Sequence, residues 1–89
     1  MAGRYLQITY GDGRPLAAYL RLSRHADAKA TRTEEAGDGL IVDYDADGTP
    51  LGLEIVNPEI VSGEQINAVL SSLGVPAMSP RELSPLPAS

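Results

Sequence analysis

The residues with the clearest chemical potential in this 89-residue chain are four carboxylates between positions 43 and 54. Asp43, Asp45, Asp47 and Glu54 occupy positions 1, 3, 5 and 12 of an EF-hand calcium loop, and Gly48 stands where that loop turns sharply. Carboxylate oxygens at this spacing can surround a calcium ion. A calcium-binding hairpin from Asp43 to Glu54 is therefore one functional hypothesis.

The sequence on both sides of these carboxylates favours another structure. An EF-hand loop lies between two helices, whereas this one lies between Leu40-Ile41-Val42 and Leu53-Glu54-Ile55-Val56, short apolar runs typical of strands. Asp47-Gly48 is itself a strong signal for a tight hairpin turn. In such a hairpin Glu54 lies several residues up the returning strand, too far from the turn to close a coordination sphere. We therefore expect no metal site and no cofactor, and the calcium site stays an alternative.

Catalytic chemistry has little support in this sequence. The chain has no cysteine, and its one histidine, His25, lies in a polar stretch without a serine elbow nearby. Asp43 and Glu54 could form an acid–base pair, but an exposed strand does not supply the desolvation that separates two carboxyl pKa values. We therefore predict that the protein is not an enzyme.

The composition also restricts the partners. A net charge of −5, with four tyrosines as the only aromatic residues, disfavours binding to nucleic acid or to an anionic membrane. No apolar run is long enough to span a bilayer or to act as a secretory leader. The lack of cysteine fits a reducing compartment. The sequence therefore predicts a cytoplasmic protein whose partner is another protein or a second copy of itself, such as a homodimer.

Period-two alternation predicts a first hairpin from about residue 4 to residue 22. Pairing Tyr10 with Leu16, Ile8 with Ala18 and Leu6 with Leu20 brings the apolar side chains onto one face, which favours a loop from Gly11 to Pro15. A tight Asp12-Gly13 turn would shift the register by one residue and divide the core between two faces. The tight turn is therefore disfavoured.

A second hairpin is predicted around Asp47-Gly48. This turn would pair Tyr44 with Leu51, Val42 with Leu53 and Leu40 with Ile55, which unites six apolar side chains on one face. Residues 23–39 form a polar connection with a short edge strand around 31–35.

One helix should follow the hairpins and cover the apolar face of the sheet. Ser62 and Gln65 form a capping box, and a stripe at helical spacing marks the buried side of a helix over residues 63–73. The stripe consists of Ile66, Val69, Leu70 and Leu73. Ser79-Pro80 begins a further turn, and the Pro-rich residues 84–89 should form a flexible tail. The predicted fold is α+β, a small antiparallel sheet of two β-hairpins with four to five strands and one C-terminal helix on one face. It forms a single domain over residues 1–76, and residues 77–89 add a short turn and the tail.

The other face of the sheet is the predicted contact surface. Tyr19, Ile41, Val56 and Ala17 would lie there as a modest apolar surface that a second copy or a partner could cover. A basic segment, residues 21–32, holds most of the positive charge and offers a docking patch for an acidic partner. The interaction candidates in and beside this segment are Arg21, Arg24 and Arg32.

A series of motifs runs through residues 4–57: Tyr10, Ala18-Tyr19-Leu20-Arg21-Leu22, Thr33-Glu34-Glu35, the stretch from Gly39 to Gly48, and Gly52-Leu53-Glu54-Ile55. In this order they resemble the YuzE-like family of small bacterial proteins, a domain of unknown function (2283). The resemblance implies a small sheet with a packed helix, no assigned activity, and no catalytic or metal residues. Members are often found beside small toxin-like genes, so the resemblance also implies an antitoxin-like role by analogy.

These observations rank the functional hypotheses. The leading one is a non-enzymatic module that acts by protein–protein contact and associates with itself through the open sheet face or an edge strand. The first alternative is an antitoxin-like binder of a small toxin, which uses residues 21–32 or the Pro-rich tail. The second alternative is the calcium-binding hairpin.

Overall fold

A computed structural model of the protein describes residues 5–22 and 29–87. The described chain contains five strands followed by two helices, so the α+β class with an antiparallel sheet is confirmed. The elements are β1 (Tyr5–Gly11), β2 (Arg14–Arg21), β3 (Arg32–Gly37), β4 (Leu40–Tyr44), β5 (Pro50–Ile55), α1 (Gly63–Ser72) and α2 (Pro80–Leu83).

The five strands lie in the order β1-β2-β5-β4-β3, and all neighbours are antiparallel. β2 and β5 are neighbours and join the first hairpin to the second, with Leu20 opposite Leu53 and Tyr19 opposite Glu54. β1 and β3 are the edges. The edge strand expected around residues 31–35 is present as β3, where it pairs with β4.

The turn between β1 and β2 is tighter than predicted. Asp12 and Gly13 both have positive φ, 54° and 76°, as a two-residue type I′ turn requires. Leu6 faces Leu20 and Ile8 faces Ala18 as expected, but Tyr10 faces Pro15, so the predicted Tyr10–Leu16 pair is wrong. Leu16 is the extra residue of a β-bulge. The bulge restores the register that a tight turn would otherwise have shifted, and the apolar side chains stay on one face.

The turn between β4 and β5 is wider than predicted. The backbone N–H of Gly48 donates to the carbonyl of Asp45 at 3.1 Å, and Gly48 has a φ of 84°. Asp47 does not have a positive φ, which excludes a two-residue type I′ turn at Asp47-Gly48. The chain instead forms a three-residue loop that ends in a left-handed glycine. Leu40–Ile55 and Val42–Leu53 are paired as predicted, whereas Tyr44 faces Pro50 instead of Leu51.

The two hairpins share a sequence pattern at their turns. Asp12-Gly13-Arg14-Pro15-Leu16 and Asp47-Gly48-Thr49-Pro50-Leu51 both read Asp-Gly-x-Pro-Leu. In each, the proline faces the tyrosine before the turn and the leucine is the bulged residue. Proline suits this place because it has no N–H to contribute to the ladder.

The core is a single hydrophobic cluster formed by the inward side chains of the sheet and the buried side chains of the helical region. The capping box predicted for α1 is present: the Gln65 N–H donates to Ser62 Oγ at 3.2 Å, and the Ser62 N–H donates to Gln65 Oε1 at 2.7 Å. The cluster contains Ala18, Leu20, Leu40, Val42, Leu53, Ile55, Val61, Ile66, Val69, Leu70, Met78, Leu83 and Leu86.

The C-terminal stretch differs from the predicted tail. Leu86 is only 2% exposed and belongs to the core cluster, together with Met78 and Leu83. The side chain of Asn67 on α1 holds this stretch at two points, since it accepts from the Met78 N–H at 2.8 Å and donates to the Met78 carbonyl at 3.1 Å. The chain is therefore packed as far as Leu86, although its Pro-rich sequence predicts a flexible tail.

Candidate functional site

The sheet face that points away from the hydrophobic cluster, called the outer face below, holds most of the predicted interaction residues. Strand pairing places its side chains in two rows across all five strands. From β1 to β3 the first row is Tyr5, Arg21, Gly52, Asp43 and Thr33. The second row is Gln7, Tyr19, Glu54, Ile41 and Glu35.

The centre of the outer face is a hydrogen bond between two of the predicted residues. The Tyr19 hydroxyl donates to Asp43 Oδ2 at 3.1 Å, and the tyrosine ring reaches across β5 above Gly52. A side chain on Gly52 would occupy the space of this ring. Glycine at position 52 therefore allows Tyr19 to reach Asp43.

The electrostatics of this pair determine its chemistry. Burial, with the negative charge of Asp43 and the hydrogen bond to it as further causes, raises the pKa of Tyr19 to about 12. The phenol is therefore neutral and acts as a hydrogen-bond donor near neutral pH. The pair is a fixed polar contact, and it does not supply a phenolate base or nucleophile at that pH.

The outer face is more acidic than the apolar surface that the sequence predicted. Ile41 lies between Glu35 on β3 and Glu54 on β5. Asp43 adds a third carboxylate in the neighbouring row, and Arg21 is the one basic residue among the ten positions of the two rows. The carboxylates lie on the half of the face formed by β5, β4 and β3.

The four candidate calcium ligands are separated by the fold. Asp45 lies in the turn, where one carboxylate oxygen accepts the backbone N–H groups of Asp47 and Thr49, each at 2.9 Å. Asp43 and Glu54 lie on the outer face in different rows. Within residues 5–22 and 29–87, no group of three or more histidine, aspartate or glutamate side chains is placed to hold a metal ion.

The basic candidates have different surroundings. The Arg32 guanidinium lies over the ring of Tyr44, 4.2 Å from its centroid, and forms a salt bridge of 3.3 Å with Glu34. Arg21 lies in the first row of the outer face, opposite Gly52. Arg24 and His25 lie outside the described residues. The two candidate arginines in the described part of the chain do not form a patch, since Arg21 lies on β2 and Arg32 on β3, at the far edge of the sheet.

Five large apolar side chains of the described residues are exposed: Tyr5, Tyr10 and Leu16 on the first hairpin, and Val56 and Ile60 after β5. Of these, only Val56 was predicted from the sequence as part of an exposed apolar surface. Tyr5, Tyr10, Leu16 and Val56 are 51%, 60%, 58% and 46% exposed. Leu16 and Val56 line one shallow cavity of about 390 Å³, which Arg14 and Glu59 also line. Arg14 and Glu59 form a salt bridge of 2.7 Å, and it lowers the pKa of the Glu59 carboxyl. The bulge that exposes Leu16 could have been predicted only from the shared Asp-Gly-x-Pro-Leu pattern.

Comparison with known proteins gives one family match, and it covers the central part of the chain. Residues 17–57, just under half of the chain, match the model of the family described as a protein of unknown function (DUF2283). This segment begins in β2 and includes β3, β4 and β5, which are neighbours in the sheet. The chain therefore carries a DUF2283 segment, as the resemblance in the sequence indicated, and the narrower YuzE-like name stays a prediction.

Two other comparisons gave no family information. Neither the curated proteins nor the solved structures include a match to this chain. Neither helix among the described residues has the length and hydrophobicity needed to cross a bilayer.

Proposed function

We propose that the protein is a non-enzymatic module that acts by protein–protein contact, and that it associates with a second copy of itself. The observation that carries the proposal is the exposure of Tyr5 and Tyr10 on β1, with Leu16 and Val56 exposed nearby. A domain of this size has a small core, so the burial of these side chains between two copies adds stability that one copy lacks.

The distribution of charge supports a second copy as the occupant of this side. The carboxylates of Glu35, Glu54 and Asp43 lie toward the β3 edge, whereas the first hairpin holds Arg14 and Arg21. Contact through the first hairpin keeps the acidic halves of two copies apart. Contact between two outer faces would bring like charges together and is therefore less favourable.

We also propose that the protein is not an enzyme. The support for this proposal is the neutral, hydrogen-bonded Tyr19 at the centre of the outer face and the use of the Asp45 carboxylate by its own turn. These side chains stabilise the fold, and a contact module needs no further chemistry from them.

The experiment is the molar mass of the protein by light scattering over a hundredfold range of concentration, supported by native mass spectrometry. The wild type should approach twice the chain mass at high concentration. Tyr10→Lys should shift this transition to higher concentration, because it places a charge among the exposed apolar side chains of the first hairpin. The change also moves the net charge toward zero, so weaker assembly would not reflect general repulsion.

Two further variants give this experiment its controls. Ser71→Lys adds the same charge to an exposed position on α1 and should leave the assembly unchanged. Ile41→Lys tests the acidic half of the outer face: contact through the first hairpin predicts no effect, whereas contact between outer faces predicts loss of assembly. A wild type that stays monomeric at every concentration would contradict the proposed self-association.

The antitoxin-like alternative stays a prediction. Its version that uses the Pro-rich tail requires that segment to be free, whereas Leu86 is buried in the core. A native mass spectrum of the protein isolated from its own host would favour this alternative if it showed a second, different chain.

A further inference from the structure

The two edges of the sheet are protected very differently against pairing with another strand. β3 carries Arg32, Glu34 and Glu35, and its ladder is interrupted by a bulge before Gly37. Charges and bulges are features that discourage edge-to-edge pairing. β1 reads Tyr-Leu-Gln-Ile-Thr-Tyr-Gly, with no charged residue and no proline, and the bulge of its hairpin lies on β2. The edge formed by β1 is therefore free of these protections.

The side chains of β1 are also incompletely covered. Leu6 and Ile8 are only partly buried where they contact the core, and Tyr10 is exposed. In a strand with a neighbour on both sides, such as β2, the corresponding residues Ala18 and Leu20 are fully buried. One further strand beyond β1 would complete the cover of Leu6 and Ile8.

We propose that β1 pairs antiparallel with β1 of a second copy, so that two five-stranded sheets join into one continuous ten-stranded sheet. This inference rests on the proposed self-association and specifies its interface. Antiparallel pairing of a strand with its own copy satisfies two-fold symmetry, the commonest arrangement of homodimers. The outward backbone groups of the two β1 strands, which have no strand partner within residues 5–22 and 29–87, then bond to each other, as in β-strand addition.

The register follows from the bounds of the strand and from its alternation. If Tyr5–Gly11 overlaps its copy completely, Ile8 faces Ile8 at the two-fold axis. Leu6 then faces Tyr10, and Gln7 faces Thr9. Core-facing side chains of one β1 therefore lie opposite core-facing side chains of the other, because this register preserves the alternation of the strands. No two charged side chains face each other, and the acidic edges at β3 lie at opposite ends of the joined sheet.

Charge changes at Gln7 and Thr9 test this register directly. Both residues are exposed on β1, and neither belongs to the core cluster, so both accept charge without loss of the fold. Q7K/T9K places lysine opposite lysine twice across the axis and should raise the dimer dissociation constant by about tenfold. Q7K/T9E places lysine opposite glutamate twice and should keep the dissociation constant near or below that of the wild type.

Amide hydrogen exchange supplies a readout that needs no variant. Protection of residues 5–11 should rise with protein concentration, whereas that of residues 32–37 should not. A wild-type dimer whose stability is the same in Q7K/T9K and Q7K/T9E would overturn the β1 interface while leaving self-association in place. A wild type that is monomeric throughout would overturn both. Thermal unfolding of each variant verifies that the monomer is folded.

Discussion

Tyr19 and Asp43 lie on strands that are not neighbours, and the 3.1 Å hydrogen bond between them crosses β5 at Gly52. Three strands are thereby linked on the outer face by one side chain. Aromatic cover of a strand glycine also compensates for the packing that glycine itself lacks. The contact joins the two hairpins at the place where β2 and β5 meet.

Gly52→Ala should destabilise the protein by about 1–3 kcal/mol, because the new methyl group overlaps the ring of Tyr19 and forces it away from Asp43. Urea unfolding measures this change. Gly37→Ala is the matched control, since the methyl group there meets only Leu40 at an ordinary contact distance of 3.8 Å. Equal losses of stability in the two variants would show that the position of the Tyr19 ring does not require glycine at position 52.

Alkaline titration should distinguish Tyr19 from an exposed tyrosine. Its pKa is raised to about 12 from 10.0, so the folded state holds the phenolic proton more tightly than the unfolded chain does. The resulting stabilisation is complete below about pH 10 and is lost as the pH rises toward 12.

Tyr19→Phe should remove the ionisation step near pH 12 from the ultraviolet absorbance and reduce the fall of the urea midpoint between pH 10 and 12. Tyr10→Phe changes an exposed tyrosine and should leave the step in place. Persistence of the step in Tyr19→Phe would assign it to another residue.

Glycine substitutions in the two hairpin turns should have different effects on the stability. Asp12 has a φ of 54°, a conformation that costs a non-glycine residue about 1 kcal/mol, so Asp12→Gly should be neutral or stabilising. Asp47 lacks a positive φ, and Asp47→Gly should cost about 0.5–1 kcal/mol through the entropy of the unfolded chain. Thermal unfolding of the pair gives the comparison. If Asp12→Gly lowered the stability and Asp47→Gly did not, the result would support the two turns that the sequence predicted.

Leu86→Ala should cost about 2–5 kcal/mol, as expected for a leucine that is fully buried in a core. Pro85→Ala changes the exposed neighbour and should shift the stability by less than about 0.5 kcal/mol. Chemical denaturation measures both. Equal and small effects would mean that residues 84–87 form a tail in solution.

The sequence predicted the elements that depend on local patterns. The capping box of Ser62 and Gln65, the inner-face pairs Leu6–Leu20 and Val42–Leu53, and an edge strand in the polar connection are all present. Each of these follows from alternation, helical spacing or a cap within a few residues. The two turns were predicted the wrong way round, since the tight turn joins β1 to β2 and the wider one joins β4 to β5. Alternation alone does not reveal a β-bulge, and a bulge changes the loop length that a given register requires.

The candidate site depended on information that no short pattern contains. Tyr19 reaches Asp43 only because β2 lies beside β5, and strand order was not predicted from the alternation. Likewise the Asn67 amide meets Met78 only because the C-terminal stretch returns to α1. The Pro-rich composition of residues 84–89 indicated a tail, whereas burial of one leucine was enough to hold the chain as far as Leu86.

The seam between β2 and β5 has a kinetic consequence. Each hairpin closes over a short loop, but the seam brings together residues from opposite halves of the sheet, such as Leu20 and Leu53, which are far apart in the chain. Closing a long loop costs entropy before its contacts form, so we expect the pairing of β2 with β5 to limit the rate of folding. Substitutions at Leu20 or Leu53 are therefore expected to slow folding more than substitutions within either hairpin turn.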